Sequence, residues 1–134
     1  MAKSKTPLRL GTTDAKGDLM IHPVWYHYVN NKLYLMTDKN TLKVQNMNWN
    51  RRVYFSVDTD VMPSRGFKGK GTASLVKDMG KSVSVYEKIV IKYLGESQGE
   101  LGKSLVDGVR KGSEVLVEIT PNYFSTWDDT KMKF

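Results

Sequence analysis

The residues best suited to chemistry lie between Met36 and Asn46, in the run Met-Thr-Asp-Lys-Asn-Thr-Leu-Lys-Val-Gln-Asn. A strand ends there and a helix begins. The first N–H groups of a helix lack intrahelical partners and sit at the positive end of its dipole, so such a start can hold an anion. Lys39 and Lys43 add positive charge, Thr37 and Thr41 add hydroxyls, and Asn40 and Asn46 add amides. That mixture suits a phosphate group. The same residues would also serve as a helix capped by Asn40 or Thr41 with two solvated lysines.

A second constellation is His22-Pro-Val-Trp-Tyr26. Pro23 interrupts a strand-like run and cannot donate a ladder hydrogen bond, so the backbone around it is open to something other than a neighbouring strand. The edge of a planar ring would fit, with Trp25 beside it. An edge-strand proline with a core tryptophan is the plainer alternative. Arg65-Gly-Phe-Lys-Gly-Lys-Gly-Thr72 mixes cations, glycines and an aromatic as single-strand nucleic-acid binders do, but Lys68 and Lys70 alternate and read first as one solvated strand face. Asp58, Asp60, Asp128 and Asp129 fall in or beside turns, and no acid–base role is expected of them.

Composition narrows the chemistry further. The 134 residues include no cysteine and only two histidines, His22 and His27. Disulfides, thiolate nucleophiles, cysteine-ligated zinc and iron–sulfur clusters are therefore excluded. The histidines are five apart and fall on opposite faces of a regular strand, which disfavours a metal pair. Any redox chemistry would have to come from a bound cofactor. A net charge of +7 attracts anions of several kinds. No apolar run approaches the ~20 residues of a membrane span, and the N-terminus lacks the apolar core of a secretory signal, so a cytoplasmic protein is expected.

The elements that must position these residues can be read from periodicity. Strands are expected over Pro7–Asp14, Leu19–Val29, Lys32–Thr37, Arg52–Asp58, Gly66–Val76 and Ser113–Tyr123, with hairpin turns at Asp14–Asp18 and Asn30–Asn31. Thr59–Arg65 reads as a loop. A short helix from about Asn40 carries apolar side chains at Leu42, Val44, Met47 and Trp49. A second over Ser82–Tyr93 carries Val85, Ile89 and Tyr93 at a spacing of four and ends before Gly95. Glu96–Lys111 is either a polar helix or a loop. The whole predicts one domain over 1–134 of the α+β class, mainly β, in which six antiparallel strands make a barrel with short helices over its openings.

In this order the segments resemble the pyridoxamine 5′-phosphate oxidase-like family of flavin-binding split β-barrels. The residues that carry the resemblance are Leu10–Asp18, Ile21–Tyr26, Leu33–Thr37, Thr41–Asn46, Arg52–Asp58, Gly69–Ala73, Ile119–Pro121 and Trp127-Asp128. The resemblance implies that FMN, or alternatively a deazaflavin coenzyme, lays its ring along Pro23, Val24 and Trp25. Met36 and Thr37 would help to hold it, and its phosphate would sit on Thr41 and Lys43. It implies a homodimer with cofactor sites at the interface, to which Trp127 of a second copy would contribute. It also implies an oxidoreductase. The arginine and histidine motif that binds pyridoxamine phosphate in the family's namesakes is not recognisable between Asn122 and Phe134, so another substrate is expected. A non-enzymatic barrel that binds a cofactor or nucleic acid stands as the alternative. Few residues precede Leu8, where the family places a helix, so either the chain is trimmed there or another element covers that barrel end.

Overall fold

Two hairpins begin the chain in the computed structural model, which describes residues 6–58, 65–95 and 99–128. Strands β1 (Leu8–Thr13) and β2 (Leu19–Val24) are joined by a turn in which the Asp14 carboxylate accepts the N–H groups of Lys16 and Asp18, each at 2.9 Å. Strands β3 (Tyr26–Val29) and β4 (Lys32–Asp38) meet at Asn30 and Asn31, both left-handed with φ of 53° and 61°. Asparagine tolerates that conformation, and a two-residue hairpin needs it. Helix α1 (Leu42–Trp49), strands β5 (Arg52–Asp58) and β6 (Arg65–Leu75), helices α2 (Met79–Leu94) and α3 (Glu100–Lys111), and strand β7 (Glu114–Asp128) follow. The expected loop over 59–64 lies outside the described residues.

All seven strands belong to one antiparallel sheet in the order β2-β1-β5-β6-β7-β4-β3. Its two edges, β2 and β3, are separated in sequence by Trp25 alone. Successive Cα atoms are 3.8 Å apart, so the edges stand within about 7.6 Å of each other at that point. The sheet must curl into a barrel. The expectation of a single strand over Leu19–Val29 is corrected here, and with it the count of six. The run changes partners at Trp25: Val24 pairs with Leu8 on β1, whereas Tyr26 pairs with Leu35 on β4. Trp25 between them directs its carbonyl to the N–H of Met36, at 3.3 Å.

Alternation along the strands fills the barrel. Leu8, Leu10, Val53, Phe55, Val57, Leu33, Leu35, Val117 and Ile119 face inward and are buried. Val44 and Met47 of α1 close one opening, whereas Leu42 and Trp49 of the same helix are exposed. A second apolar cluster lies outside the barrel. There Tyr34, Met36 and Leu116 pack under Val85, Tyr86, Ile89 and Val90 of α2 and under Val106 and Val109 of α3. The Glu96–Lys111 segment is thus helical from Glu100, and the last strand runs to Asp128 instead of Tyr123. Asp78 caps α2 by accepting the Lys81 N–H at 3.1 Å, and left-handed Gly95 ends it as its position implied.

Gly69 and Gly71 explain how β6 passes so close to β7. A Cβ at Gly71 would stand 2.5 Å from the Thr120 carbonyl oxygen, and one at Gly69 would collide with that of Tyr123. The pairing shifts by one residue between Lys70 and Gly71. Backbone cannot yield as a flexible side chain can, so Gly69→Ala is expected to lower the unfolding free energy by about 1–3 kcal/mol, the range for overpacking. Urea denaturation checks this, and an unchanged midpoint would contradict it.

Candidate anion cradle and its surroundings

Strand β4 delivers Thr37 and Asp38 to the start of α1, and the turn between them is held by its own side chains. The Asp38 carboxylate accepts the Asn40 N–H at 3.0 Å, and its carbonyl accepts the hydroxyls of Thr41 at 3.0 Å and Thr37 at 3.2 Å. The two threonine hydroxyls stand 3.2 Å apart. Thr41 occupies the N-cap position in extended conformation, yet its hydroxyl makes no cap bond to the helix. No acidic residue lies in the first turn, so the positive end of α1 is unopposed by its own side chains. Lys43 stands half-buried in that turn, while Lys39 and Asn40 are exposed. The Lys39 N–H donates to the Ser113 carbonyl at 2.9 Å and ties the turn to the start of β7.

Beneath α1 the sequence-derived residues His22 and Asn46 meet through Thr12. The Asn46 amide donates to the Thr12 hydroxyl at 3.1 Å and approaches the Met20 sulfur at 3.4 Å. His22 Nε2 lies 3.2 Å from the same hydroxyl oxygen. Thr12 is completely buried. Since it accepts from Asn46, its own proton is free to go to Nε2, an arrangement that suits a neutral imidazole protonated on Nδ1. Burial, and then the charge of Lys43, hold the His22 pKa below its usual value. Lys43 therefore stands within electrostatic reach of the His22–Thr12–Asn46 chain.

Other sequence-derived residues point elsewhere. Trp25 stacks on Tyr93 of α2 with ring centroids 4.8 Å apart and planes 4° from parallel. Val24 belongs to the barrel core, and Met36 is buried beneath the helices. Pro23 is exposed on the outer face, opposite Arg9. Trp127 lies on β7 opposite Gly66, and its side chain is outside the described part of the structure.

Tyr86 and Glu114 were not legible as site residues. The Tyr86 hydroxyl donates to the Val115 carbonyl at 2.7 Å and accepts the Thr37 N–H at 3.2 Å, clamping the end of β4. Its position on α2, 49 residues from Thr37 in sequence, leaves no local signal. Glu114 stands beside it, and its pKa is raised by burial and by Asp38, against the lowering effects of the Tyr86 hydrogen bond and Lys43. The cradle is thus bordered by acids as well as by lysine. Lys92 is set apart: its ammonium donates to the Tyr26 carbonyl at 3.1 Å and lies 3.5 Å from that ring's centroid, with a pKa pushed down to about 8 by burial.

Away from α2 and α3, the outer face of the sheet carries a groove of about 540 Å³ lined by Leu19, Ile21, Tyr54 and Tyr123, with Arg9, Lys68 and Lys70 among its polar residues. Among the described residues no cluster of three potential metal ligands from His, Cys, Asp and Glu occurs.

No protein-family model matches the chain, and no curated protein does. Solved structures do. The conserved hypothetical protein Rv2991 from Mycobacterium tuberculosis superposes with a TM-score of 0.79 at 22% identity, over 98% of this chain and 84% of that one. A protein named as an F420 reductase gives 0.73 at 19% identity over 92% of each chain. A candidate pyridoxamine 5′-phosphate oxidase from Listeria innocua gives 0.69 at 16% identity, over 90% of this chain and 87% of that one. At these identities the likeness is one of fold, and that shared fold is the split barrel.

Two expectations follow from the hydrogen bonds. Removing the buried hydroxyl in Tyr86→Phe takes an acceptor from the Thr37 N–H and a donor from the Val115 carbonyl and should cost about 1–3 kcal/mol in urea unfolding, with an unchanged midpoint counting against the clamp. His22, depressed in the native state, contributes stability that is present above pH 6.5 and lost as pH falls through the lower native value. Wild type should therefore lose more stability than His22→Gln on acidification from about pH 7.5 to 5. Parallel stability curves would contradict that assignment.

Proposed function

We propose that the chain binds FMN and acts as a flavin-dependent oxidoreductase, its cofactor phosphate held by Thr37, Thr41, Lys43 and the first N–H groups of α1. The observation that carries this reading is the uncapped start of α1. Thr41 stands at the cap position with its hydroxyl turned to Asp38, so the helix donors have no side-chain acceptor from the cap, and Lys43 lies in the same first turn. An anion supplies what is missing. Exposed Pro23, on the strand that also carries His22, offers a surface for the ring. Lys39, Asn40 and Asn46 border or brace the cradle, with Asn46 acting through Thr12. Bound FMN would supply the hydride or electron transfer; the residues of the chain bind it, orient it and shield it.

The reading takes 1–134 as one cofactor-binding unit that works in the cytoplasm as a pair of chains, with Trp127 of a second copy near the ring. The uncovered row of Leu19, Ile21 and Tyr54 gives such a pair a surface to meet on. Among the described residues no helix is long and apolar enough to cross a membrane. A deazaflavin is the second reading, supported by a fold neighbour named as an F420 reductase and by the basic residues of the outer groove, which suit a longer anionic tail.

Purified protein should carry a yellow chromophore with flavin absorbance, or take up FMN on titration. Lys43→Ala should weaken FMN binding by about 1–3 kcal/mol, the value of a charge-assisted hydrogen bond. An unchanged dissociation constant would remove Lys43 from the site. Selective uptake of a deazaflavin by colourless protein would favour the second reading.

A further inference from the structure

We infer that Glu114 is a positioning residue of the cradle, and that an anion at the start of α1 binds together with a proton taken up by this carboxyl, so that binding strengthens as pH falls. The place of the anion rests on the cofactor reading; the setting of Glu114 does not.

Glu114 is half-buried and held against the cradle from three sides. It pairs with Asp38 across β7 and β4, and Asp38 is the residue whose carbonyl and carboxylate shape the turn into α1. Gly108 of α3 leaves it room: a Cβ there would stand 2.6 Å from Glu114 Cγ and 3.4 Å from its Cβ. From α2 the Tyr86 hydroxyl oxygen comes within 3.4 Å of Glu114 Oε1. That hydroxyl has one proton, and three oxygens compete for it: the Val115 carbonyl at 2.7 Å, the Thr37 carbonyl at 3.3 Å and Glu114 at 3.4 Å. The shortest contact takes it. As a carboxylate, Glu114 therefore faces an oxygen with little of its proton left to offer. As an acid it donates its own proton to Tyr86, which keeps its bond to Val115. Tyr86 also accepts the Thr37 N–H at 3.2 Å, so the carboxyl reaches the cradle through it.

The surrounding charges act in the same direction. Burial, and then Asp38 of β4, disfavour the ionised form of Glu114, and Lys43 of α1 is the cation that opposes them. On α3, exposed Asp107 and Lys111 line a hollow with Gly108 and Ser113, and Asp107 is paired with Arg110 at 3.3 Å. Lys39, in the turn itself, is exposed. A phosphate at the start of α1 adds negative charge beside Asp38 and engages Lys43, and both changes disfavour a second carboxylate nearby. Binding thus raises the Glu114 pKa further and takes up a proton wherever Glu114 was ionised. Affinity is highest below the native value of Glu114 and declines as pH rises through it.

The test counts protons in calorimetric titrations with FMN, from the difference between buffers of high and low ionisation enthalpy, over about pH 5 to 7.5. His22 also lies near Lys43 and titrates in this range, so the chains compared are His22→Gln and His22→Gln with Glu114→Gln. Glutamine keeps the shape of the acid and still donates to Tyr86, and circular dichroism confirms that both chains are folded. The chain with Glu114 is expected to take up at least about 0.3 proton more per FMN within that range, whatever the FMN phosphate itself exchanges. Its Glu114→Gln counterpart should bind FMN about threefold or more tighter at the upper pH, with the advantage vanishing at the lower. A merely structural role predicts a ratio independent of pH. Equal proton counts or such a constant ratio, with FMN bound, would overturn the inference and leave the cofactor reading intact. Sulfate, a dianion throughout this range, reads the linkage without a cofactor. If FMN fails to bind while sulfate raises the thermal midpoint more in the Glu114→Gln chain at the upper pH and equally at the lower, the cofactor reading falls and the proton linkage stands. Binding of neither anion overturns both.

Discussion

One residue of linker governs this fold. Laid flat, a seven-stranded sheet would hold its outermost strands about 28 Å apart, given a spacing of about 4.7–4.8 Å between neighbours. Here those outermost strands are β2 and β3, and Trp25 alone joins them. The chain can satisfy both the ladder and the linkage only by closing the sheet on itself. Closure brings His22 and Pro23 on β2 to the same end of the molecule as Thr37 on β4, and α1 can then touch both through Asn46 and the Thr37–Thr41 pair. Anything that binds at the start of α1 inherits its geometry from that closure.

The barrel's outer face is divided in purpose. Over β4 and the beginning of β7 it is sealed by α2 and α3 around a second apolar cluster, from which Tyr86 reaches the end of β4. This anchors the cradle from behind, and the Lys39–Ser113 bond anchors it from the side. Among the described residues no buried side-chain polar atom lacks a partner, so the cradle's unused donors belong to the helix backbone and not to misfitted side chains. Over β2, β1, β5 and β6 the face is bare, apolar and basic.

Much of this was legible because period-two alternation and turn chemistry act locally. The inward rows of β1, β4 and β5, the Asn30-Asn31 hairpin and Gly95 at the end of α2 all stand where residue types put them. Partner exchange at Trp25 was not legible, since Pro23 signals a missing donor but not which strands will claim its two sides. Leu42 and Trp49 are apolar yet exposed, since a helix of eight residues touches the barrel on a narrow stripe, and Val44 and Met47 fill it. The roles of Thr12 and Tyr86 depend on contacts 34 and 49 residues away, which no local pattern encodes. The nearness of Thr37 and Thr41 was legible because a helix start leaves its signature in adjacent residues: their hydroxyls stand 3.2 Å apart, and Lys43 lies in the first turn that follows. Trp25 lies two residues after Pro23 in sequence, and the stacking of its ring on Tyr93 of α2 depends on a contact 68 residues away that no local pattern encodes.

The claim that the start of α1 holds a cofactor by its phosphate is tested most directly by comparing FMN with riboflavin, which shares the ring and ribityl chain but lacks the phosphate, in calorimetric titrations of the purified protein. The cradle predicts that FMN binds at least about tenfold more tightly, a difference of about 1.4 kcal/mol or more. Equal affinities would contradict it, because the ring alone would then account for binding and the helix start would have no part in it.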